Sequence, residues 1–218
     1  RRIVWLGAGV AVQSRLLSYS GLETTELAPK RETAIMPRVS LALFPFAREG
    51  MSGLGVTVSF AASITSSPSD LLARQVDAAL AYGIRLGSLP LWVRPEAGFR
   101  WHALAGQGVG TDYRVVRAGV GLESAVGPLR IYLQAAYLQV IGGAGGLSSR
   151  YFTKARTGAA FASELGLALN VVGKLDLTLS GSYDAYLHSL NADAADAYVA
   201  RSVTDGYLGA TAGLRLSF

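Results

Sequence analysis

Apolar and small or polar residues alternate with a period of two along almost the whole chain. In segment 54–64 the apolar side chains occupy every second position, at Leu54, Val56, Val58, Phe60, Ala62 and Ile64. Segments 76–86 and 174–188 repeat this pattern. Because successive side chains of a strand point to opposite faces, the alternation predicts an all-β chain whose strands each have one apolar face.

Ten strands are predicted, at about 3–18, 34–46, 53–65, 74–87, 91–104, 113–124, 129–141, 157–171, 174–188 and 203–218. Short turns join strands 2–3, 4–5, 6–7 and 8–9, and longer polar or Gly-rich loops make the other connections. We therefore expect one domain, residues 1–218, forming a closed antiparallel up-and-down transmembrane β-barrel. Pro37, Pro45 and Pro95 fall inside predicted strands, which predicts bulges there or an early end to strand 2. Eight strands remain the alternative.

Composition separates a membrane barrel from a helical membrane protein and from a soluble barrel. Half of the residues are hydrophobic and the mean hydropathy is +0.32, yet no uninterrupted apolar run reaches 18 residues. The face opposite the apolar one is rich in glycine, for example at Gly55, Gly83, Gly119 and Gly121. A sheet face in water normally carries Thr, Lys and Glu, whereas small residues suit the narrow lumen of a barrel. The pattern thus favours a transmembrane barrel over a lipocalin-like one.

The last strand is the most specific motif. Its apolar face carries Leu208, Ala210, Ala212, Leu214, Leu216 and the aromatic Phe218. This strand resembles the C-terminal signature strand of the bacterial outer-membrane β-barrel superfamily, which implies that Leu214, Leu216 and Phe218 act as the assembly signal. The resemblance also implies an outer-membrane location and, as partners, outer-membrane lipid, lipopolysaccharide and the barrel-assembly machinery. Short turns at one end predict that this end, with both termini, is periplasmic.

Charged residues on the opposite face are predicted to point into the lumen. They are Arg15, Arg38, Asp77, Arg85, Arg94, Glu96, Arg100, Arg117, Glu123, Arg130, Glu164, Asp176, Asp184 and Arg215. Charges in a region of low dielectric constant must be paired or hydrated. We therefore expect a salt-bridged lumen, and the alternative is a narrow pore with a weak preference for anions.

Aromatic residues near the predicted strand ends suggest interfacial girdles. They are Trp5, Phe46, Trp92, Trp101, Tyr113, Tyr137, Tyr151, Phe152, Phe161 and Tyr207. The outer loop residues Arg150, Tyr151, Phe152, Lys154 and Arg156 combine charge with aromatic rings. They are predicted to contact lipopolysaccharide or an envelope protein partner.

No catalytic, cofactor or metal site is predicted. The chain has no Cys and two His, so a metal site is not expected. It resembles omptin proteases in strand number only, because neither His102 nor His188 stands in an Asp-x-His element. His188 and Ser189, compared with the His and Ser of outer-membrane lipid A deacylases, are adjacent and must point to opposite faces. Asp184 and His188 could share one lumen face.

A structural, anchoring or interaction role in the cell envelope is therefore the expected function. The alternative is a pore for ions or small solutes, and the third hypothesis is a barrel hydrolase acting at the outer rim. The net charge of +5 comes from scattered residues, so nucleic acid is not an expected partner. The chain begins Arg1-Arg2 without Met, which a removed signal peptide or upstream domain would explain.

Overall fold

Ten antiparallel strands make up the fold, each bounded within three residues of its predicted position. The computed structural model describes residues 3–20, 31–45, 51–64, 72–87, 89–105, 110–142, 155–190 and 200–218. The strands are β1 (Ile3–Ser20), β2 (Arg31–Phe44), β3 (Met51–Ala62), β4 (Leu72–Arg85), β5 (Leu91–Ala105), β6 (Thr111–Val126), β7 (Leu129–Gly142), β8 (Ala155–Val172), β9 (Leu175–Leu190) and β10 (Ser202–Ser217). The described residues contain no helix long and apolar enough to cross a membrane.

Pairing of the first strand with the last closes the sheet. Val10 in β1 lies opposite Pro37 of β2 on one side and Ala212 of β10 on the other. All other strands pair with their neighbours in sequence, so the predicted ten-stranded up-and-down barrel is confirmed and eight strands is wrong. One end of the barrel carries the connections after β2, β4, β6 and β8 together with Ile3 and Phe218. We call this the turn end, and the opposite end the loop end.

Glycines in two tight turns fix the register of the hairpins at the turn end. Gly127 has φ +59° and Gly173 has φ +56°, a region that side chains disfavour. Each begins a two-residue connection, Gly127-Pro128 or Gly173-Lys174, between paired strands. Positive φ at the first loop position matches the twist of the flanking strands, which is why short hairpins use it.

Two of the three prolines lie where ladder pairing stops or has a gap. Pairing between β2 and β3 covers Arg38 to Leu43, so Pro37 lies one residue beyond it. On β5, Pro95 pairs with β6, while the ladder with β4 is interrupted beside it. Strand β2 ends at Phe44, so Pro45 falls in the turn, as the early-end alternative predicted. The predicted bulges at Pro37 and Pro95 are absent from the described pairings, because each proline sits where no ladder hydrogen bond is required.

The outward surface is apolar on every strand. On β6 the outward positions from Val116 to Val126 carry no charge. Ten steps of about 3.3 Å at a tilt of about 40° span roughly 25 Å of membrane, the height of the apolar band of outer-membrane barrels. Among strand residues whose side chains the structure describes, the outward charges lie beyond this band, toward the loop end, at Arg74, Asp112 and Arg114. An exposed apolar band of this height requires contact with lipid or detergent rather than water.

Glycines inside the barrel provide space for large lumen side chains. The ring of Tyr132 lies over Gly166, and the ring of Phe44 lies over Gly55, so that a Cβ at either glycine would overlap the ring. The glycine-rich inward face therefore has the packing role that the sequence predicted for a narrow lumen.

Candidate functional site in the lumen

The lumen is divided into three layers along the barrel axis. The loop-end plug consists of Arg15, Tyr113, Tyr186, His188, Asp205 and Tyr207. The central ion network consists of Asp77, Glu96, Arg100, Arg117 and Asp184. The turn-end cavity is a space of about 550 Å³ between this network and the turn end.

Side chains of the loop-end plug come from strands β1, β6, β9 and β10 and are excluded from solvent. None of the six is more than 2% exposed. They converge because each occupies an inward position near the loop end of its strand, and Arg15 is directly opposite Tyr207 in the ladder. Leu104, Val115 and Leu138 pack around them in one buried cluster. Apolar atoms and rings therefore fill the lumen at this level.

Asp205 is the hydrogen-bonding centre of the plug. Arg15 donates from Nε to Oδ1 at 2.7 Å and from Nη2 to Oδ2 at 2.9 Å. Tyr113 and Tyr207 each donate a hydroxyl to Oδ2, at 2.8 and 2.9 Å. A carboxylate that accepts four bonds, two from a guanidinium, is a stable arrangement for a fully buried charge.

Ring contacts hold the remaining plug residues together. Tyr113 stacks on Tyr186 with centroids 4.0 Å apart and planes within 5°. His188 stacks less closely on Tyr113, at 5.6 Å, and its Nε2 is 2.9 Å from the Tyr113 hydroxyl. His102 meets Tyr207 edge to face at 4.4 Å. These geometries are the favoured ones for aromatic pairs, so the rings add rigidity as well as volume.

The central ion network links strands across the barrel. Arg100 binds Asp77 at 2.5 Å and Asp184 at 2.8 Å, and these two carboxylates lie on β4 and β9. Arg117 binds Asp77 at 3.3 Å and also pairs with Glu96. Each arginine therefore contacts two carboxylates. All five residues are less than 10% exposed, and buried charges at this density require such mutual pairing.

The turn-end cavity, which lies between the central ion network and the turn end, is lined by arginine side chains as well as by aromatic rings. Trp5, Phe44, Trp92 and Tyr132 contribute its rings. Its arginines beyond the central network are Arg38, Arg94, Arg130 and Arg215. Arg215 is paired with Asp176 at 2.8 Å, and Arg130 approaches Glu123 only to 3.9 Å.

The structure places all of the predicted lumen charges on inward positions. The central network unites five of them, and two further pairs, Arg215–Asp176 and Arg130–Glu123, lie near the turn end. Glu164 accepts a hydrogen bond from the Tyr132 hydroxyl at 3.1 Å. At the rim, Arg85 donates from Nε to the carbonyl of Leu89 at 3.3 Å. Arg15 lies apart from the rest, in the plug.

Several lumen residues were missed or misplaced by the sequence analysis. Asp205 and Glu32, which both bind Arg15, were not predicted.

The predicted girdle residues Trp5, Trp92, Tyr113 and Tyr207 are inward, so their assignment to the interface is wrong. Their parity along the strand was the available signal, because Trp92 shares a face with Arg94 and Tyr207 with Arg215. Trp101, Tyr137 and Phe161 do lie on the outward face, with Tyr137 and Phe161 in edge-to-face contact. Phe46, Tyr151 and Phe152 lie outside the described residues.

Within the described part of the chain, the hydrogen-bond partners of the two histidines are not carboxylates: His102 contacts Gln13 and His188 contacts Tyr113. Asp184 and His188 share the inward face, but Asp184 is bound to Arg100 and His188 to Tyr113. Ser189 is exposed on the opposite face from the buried His188. No group of three or more potential metal ligands occurs within the described ranges.

Of the loop and terminal residues singled out above, Arg150, Tyr151, Phe152 and Lys154 lie outside the described residues. The backbone of Arg156 pairs with Ser189 in the ladder. The side chains of Leu214, Leu216 and Phe218 all point outward and are 39–57% exposed. The Phe218 backbone N–H donates to the carbonyl of Val4, so the chain end takes part in barrel closure.

Comparisons with known proteins give similarity at the level of the barrel. No protein-family model matches the chain, and no curated protein sequence matches it. Among solved structures, Neisserial surface protein A is 12% identical, with 99% of this chain and 97% of that chain covered and a TM-score of 0.39. OprG from Pseudomonas aeruginosa is 13% identical, with 99% of this chain and 95% of that chain covered and a TM-score of 0.35. Ail of Yersinia pestis is 14% identical, with 98% of each chain covered and a TM-score of 0.33.

The architecture itself is that of a transmembrane β-barrel. Membrane-spanning proteins that satisfy every backbone group between strands must close the sheet, as β1 and β10 do here. The outward apolar band and the charged lumen complete this description.

Proposed function

We propose that this chain is a non-conducting outer-membrane barrel with a structural, anchoring or interaction role in the cell envelope. The supporting observation is the loop-end plug, whose rings and ion pair occupy the lumen between the central network and the loop end. We further propose that the turn end, with both described chain ends, faces the periplasm, because short connections on that side are typical of such barrels. Envelope proteins and lipopolysaccharide are then the partners available at the two ends.

Energetics support a plug that stays closed. A path through the loop end would have to separate the Arg15–Asp205 pair or the stacked Tyr113 and Tyr186 rings. Breaking a buried ion pair without replacing its partner costs about 3–5 kcal/mol, which leaves the open state below about 1% of molecules. Ions also meet the central network directly beneath the plug, where Arg100 and Arg117 are held by carboxylates.

Single-channel recording in planar lipid bilayers tests this proposal. We expect no discrete conductance steps from the wild-type barrel. The double variant Tyr113→Ala/Tyr186→Ala removes two stacked rings from the plug, and we expect it to produce steps. Tyr132→Ala removes the same kind of side chain from the turn-end cavity and leaves the plug intact, so this variant should show no conductance steps.

Each barrel is first checked for folding by gel mobility without boiling, since a closed strand network resists detergent and migrates differently from the boiled chain. Regular conductance steps from the folded wild-type protein would contradict the anchor role and support the alternative, a narrow pore for ions or small solutes. In that case the excess of arginine over carboxylate in the cavity lining favours anions.

The third hypothesis, a hydrolase at the outer rim, lacks a nucleophile–base pair among the described residues. Replacing His188 with Ala would abolish activity if such a site existed, whereas in our proposal it removes only the ring contact and the hydrogen bond with Tyr113.

A further inference from the structure

The turn-end cavity has a volume and depth typical of a ligand pocket. Its volume of about 550 Å³ falls in the range of about 300–1,000 Å³ for small-molecule sites. At its inner end it is bounded by Glu96 and Arg117 of the central network. Toward the turn end it is lined by Glu123 and Arg130, whose side chains are 31% and 41% exposed. The cavity therefore opens toward the turn end and extends inward to the buried ion pairs of the central network.

Two arginines in the wall of this cavity have no carboxylate partner among the residues that the structure describes. Within the described part of the chain, neither Arg38 nor Arg94 has a carboxylate oxygen within 4.0 Å, in contrast to Arg100 and Arg117. The Nε atom of Arg94 is buried and has no hydrogen-bond partner among the described residues. A guanidinium that is partly removed from water without a counter-charge is costly, and a bound anion lowers that cost.

Arg94 lies against β6 in the wall of the cavity. Gly121 is directly opposite it in the ladder, and a Cβ there would be in ordinary van der Waals contact with the guanidinium, 3.5 Å from both Nε and Nη2. Trp92 is two residues earlier on the same face of β5 and also lines the cavity. Side chains at i and i+2 of a strand are about 7 Å apart. A guanidinium and an aromatic ring are therefore both within reach of one small ligand that carries an anionic group and an aromatic ring.

We propose that the turn-end cavity binds a small aromatic carboxylate, with Arg94 pairing to the carboxylate and Trp92 packing against the ring. Arg38 supplies additional positive charge, and Trp5 supplies a further ring in the wall. A purely polar anion would use the arginines but leave the rings unoccupied, and a neutral hydrocarbon would leave Arg94 unpaired. This site is independent of the plug, so it holds whether or not the barrel conducts.

The test uses 2-naphthoate and its neutral analogue 2-naphthamide, added to the full chain in detergent micelles. The three tryptophans each give one indole N–H resonance in a ¹⁵N NMR spectrum. We expect 2-naphthoate to shift the Trp92 resonance in a saturable manner. Trp101 is on the outer surface, where it donates to Asp112 at 2.5 Å, and its resonance should not follow the same titration.

Arg94→Gln should weaken 2-naphthoate binding at least tenfold, and it should do so without changing gel mobility of the unboiled barrel. Arg114→Gln makes the same substitution on the outer surface and should leave the affinity unchanged. Equal titrations with 2-naphthoate and 2-naphthamide would overturn the proposal, because the cation would then play no part. Unchanged affinity in Arg94→Gln, or shifts of Trp101 that parallel those of Trp92, would overturn it as well, the latter showing partition into the micelle.

Discussion

Replacement of Asp205 by Asn tests the loop-end plug most directly. Asp205 is fully buried and accepts hydrogen bonds from Arg15, Tyr113 and Tyr207. The amide keeps the shape but removes the charge, so Arg15 remains buried beside a neutral group. Loss of one member of a buried pair costs about 3–5 kcal/mol. Arg15 retains Glu32 at 3.4 Å, so we expect the lower end, about 3 kcal/mol.

The assay is equilibrium unfolding in urea with the barrel reconstituted into lipid bilayers, followed by tryptophan fluorescence. A loss of about 3 kcal/mol corresponds to a change of more than a hundredfold in the unfolding equilibrium. Glu123→Gln is the matched control, since Glu123 is paired only at 3.9 Å with the exposed Arg130 and should change stability by less than about 0.5 kcal/mol. Equal stability of the two variants would refute the assignment of Asp205 as the centre of the plug.

Three further predictions follow from the packing and the membrane band. Gly98→Ala places a methyl group against the backbone of β4, so unfolding in urea should show a loss of about 1–3 kcal/mol, whereas Gly181→Ala, at an open outward site, should show almost none. Val120 lies in the middle of the apolar band, so Val120→Lys should lower the free energy of unfolding in bilayers by about 2–4 kcal/mol. Val126 lies at the margin of the band near the turn end, so Val126→Lys should lower it by about 0–1 kcal/mol, and equal losses would place the band elsewhere. Deletion of Phe218 should lower the yield of assembled barrel in cells while refolding in detergent persists, and unchanged yield would exclude an assembly role.

Strand positions could be predicted closely because the alternation is local. Each strand has one face that meets lipid and one that meets the lumen, so a period of two identifies both the strand and its orientation. Turn glycines such as Gly127 and Gly173 then mark the boundaries. The same parity places every predicted lumen charge on the inward side.

For aromatic residues, position near a strand end is a weaker indicator of environment than parity along the strand. Trp5 and Tyr113 lie near strand ends, where interfacial rings are common, but they share faces with Gly7 and Arg117. Parity is the stronger constraint, because a shift to the other face would reverse every side chain of the strand. The same criterion places Asp205 on the inward face, because it lies an even number of positions from Arg215 along β10.

Partner choice in the lumen could not be predicted from the sequence. Arg15 and Asp205 are separated by 190 residues, and Arg100 and Asp184 by 84. Which charges meet depends on the stagger between strands around the closed barrel, and alternation within a strand carries no information about stagger. The division into a plug, a network and a cavity therefore emerges only once the register of every strand pair is known.

The two ends of the lumen differ in how their arginines are satisfied, and this difference has consequences for function. Arg15 and Arg100 each contact two carboxylates, so their positions are fixed and the lumen around them is closed. Arg94, which has no carboxylate within 4.0 Å among the described residues, borders open space instead. A barrel that served only as a rigid anchor would gain stability by pairing or replacing such a residue. A guanidinium that has no carboxylate partner among the described residues, two positions from Trp92 in the wall of a cavity that opens toward the turn end, is therefore better explained by a ligand than by the architecture of the barrel.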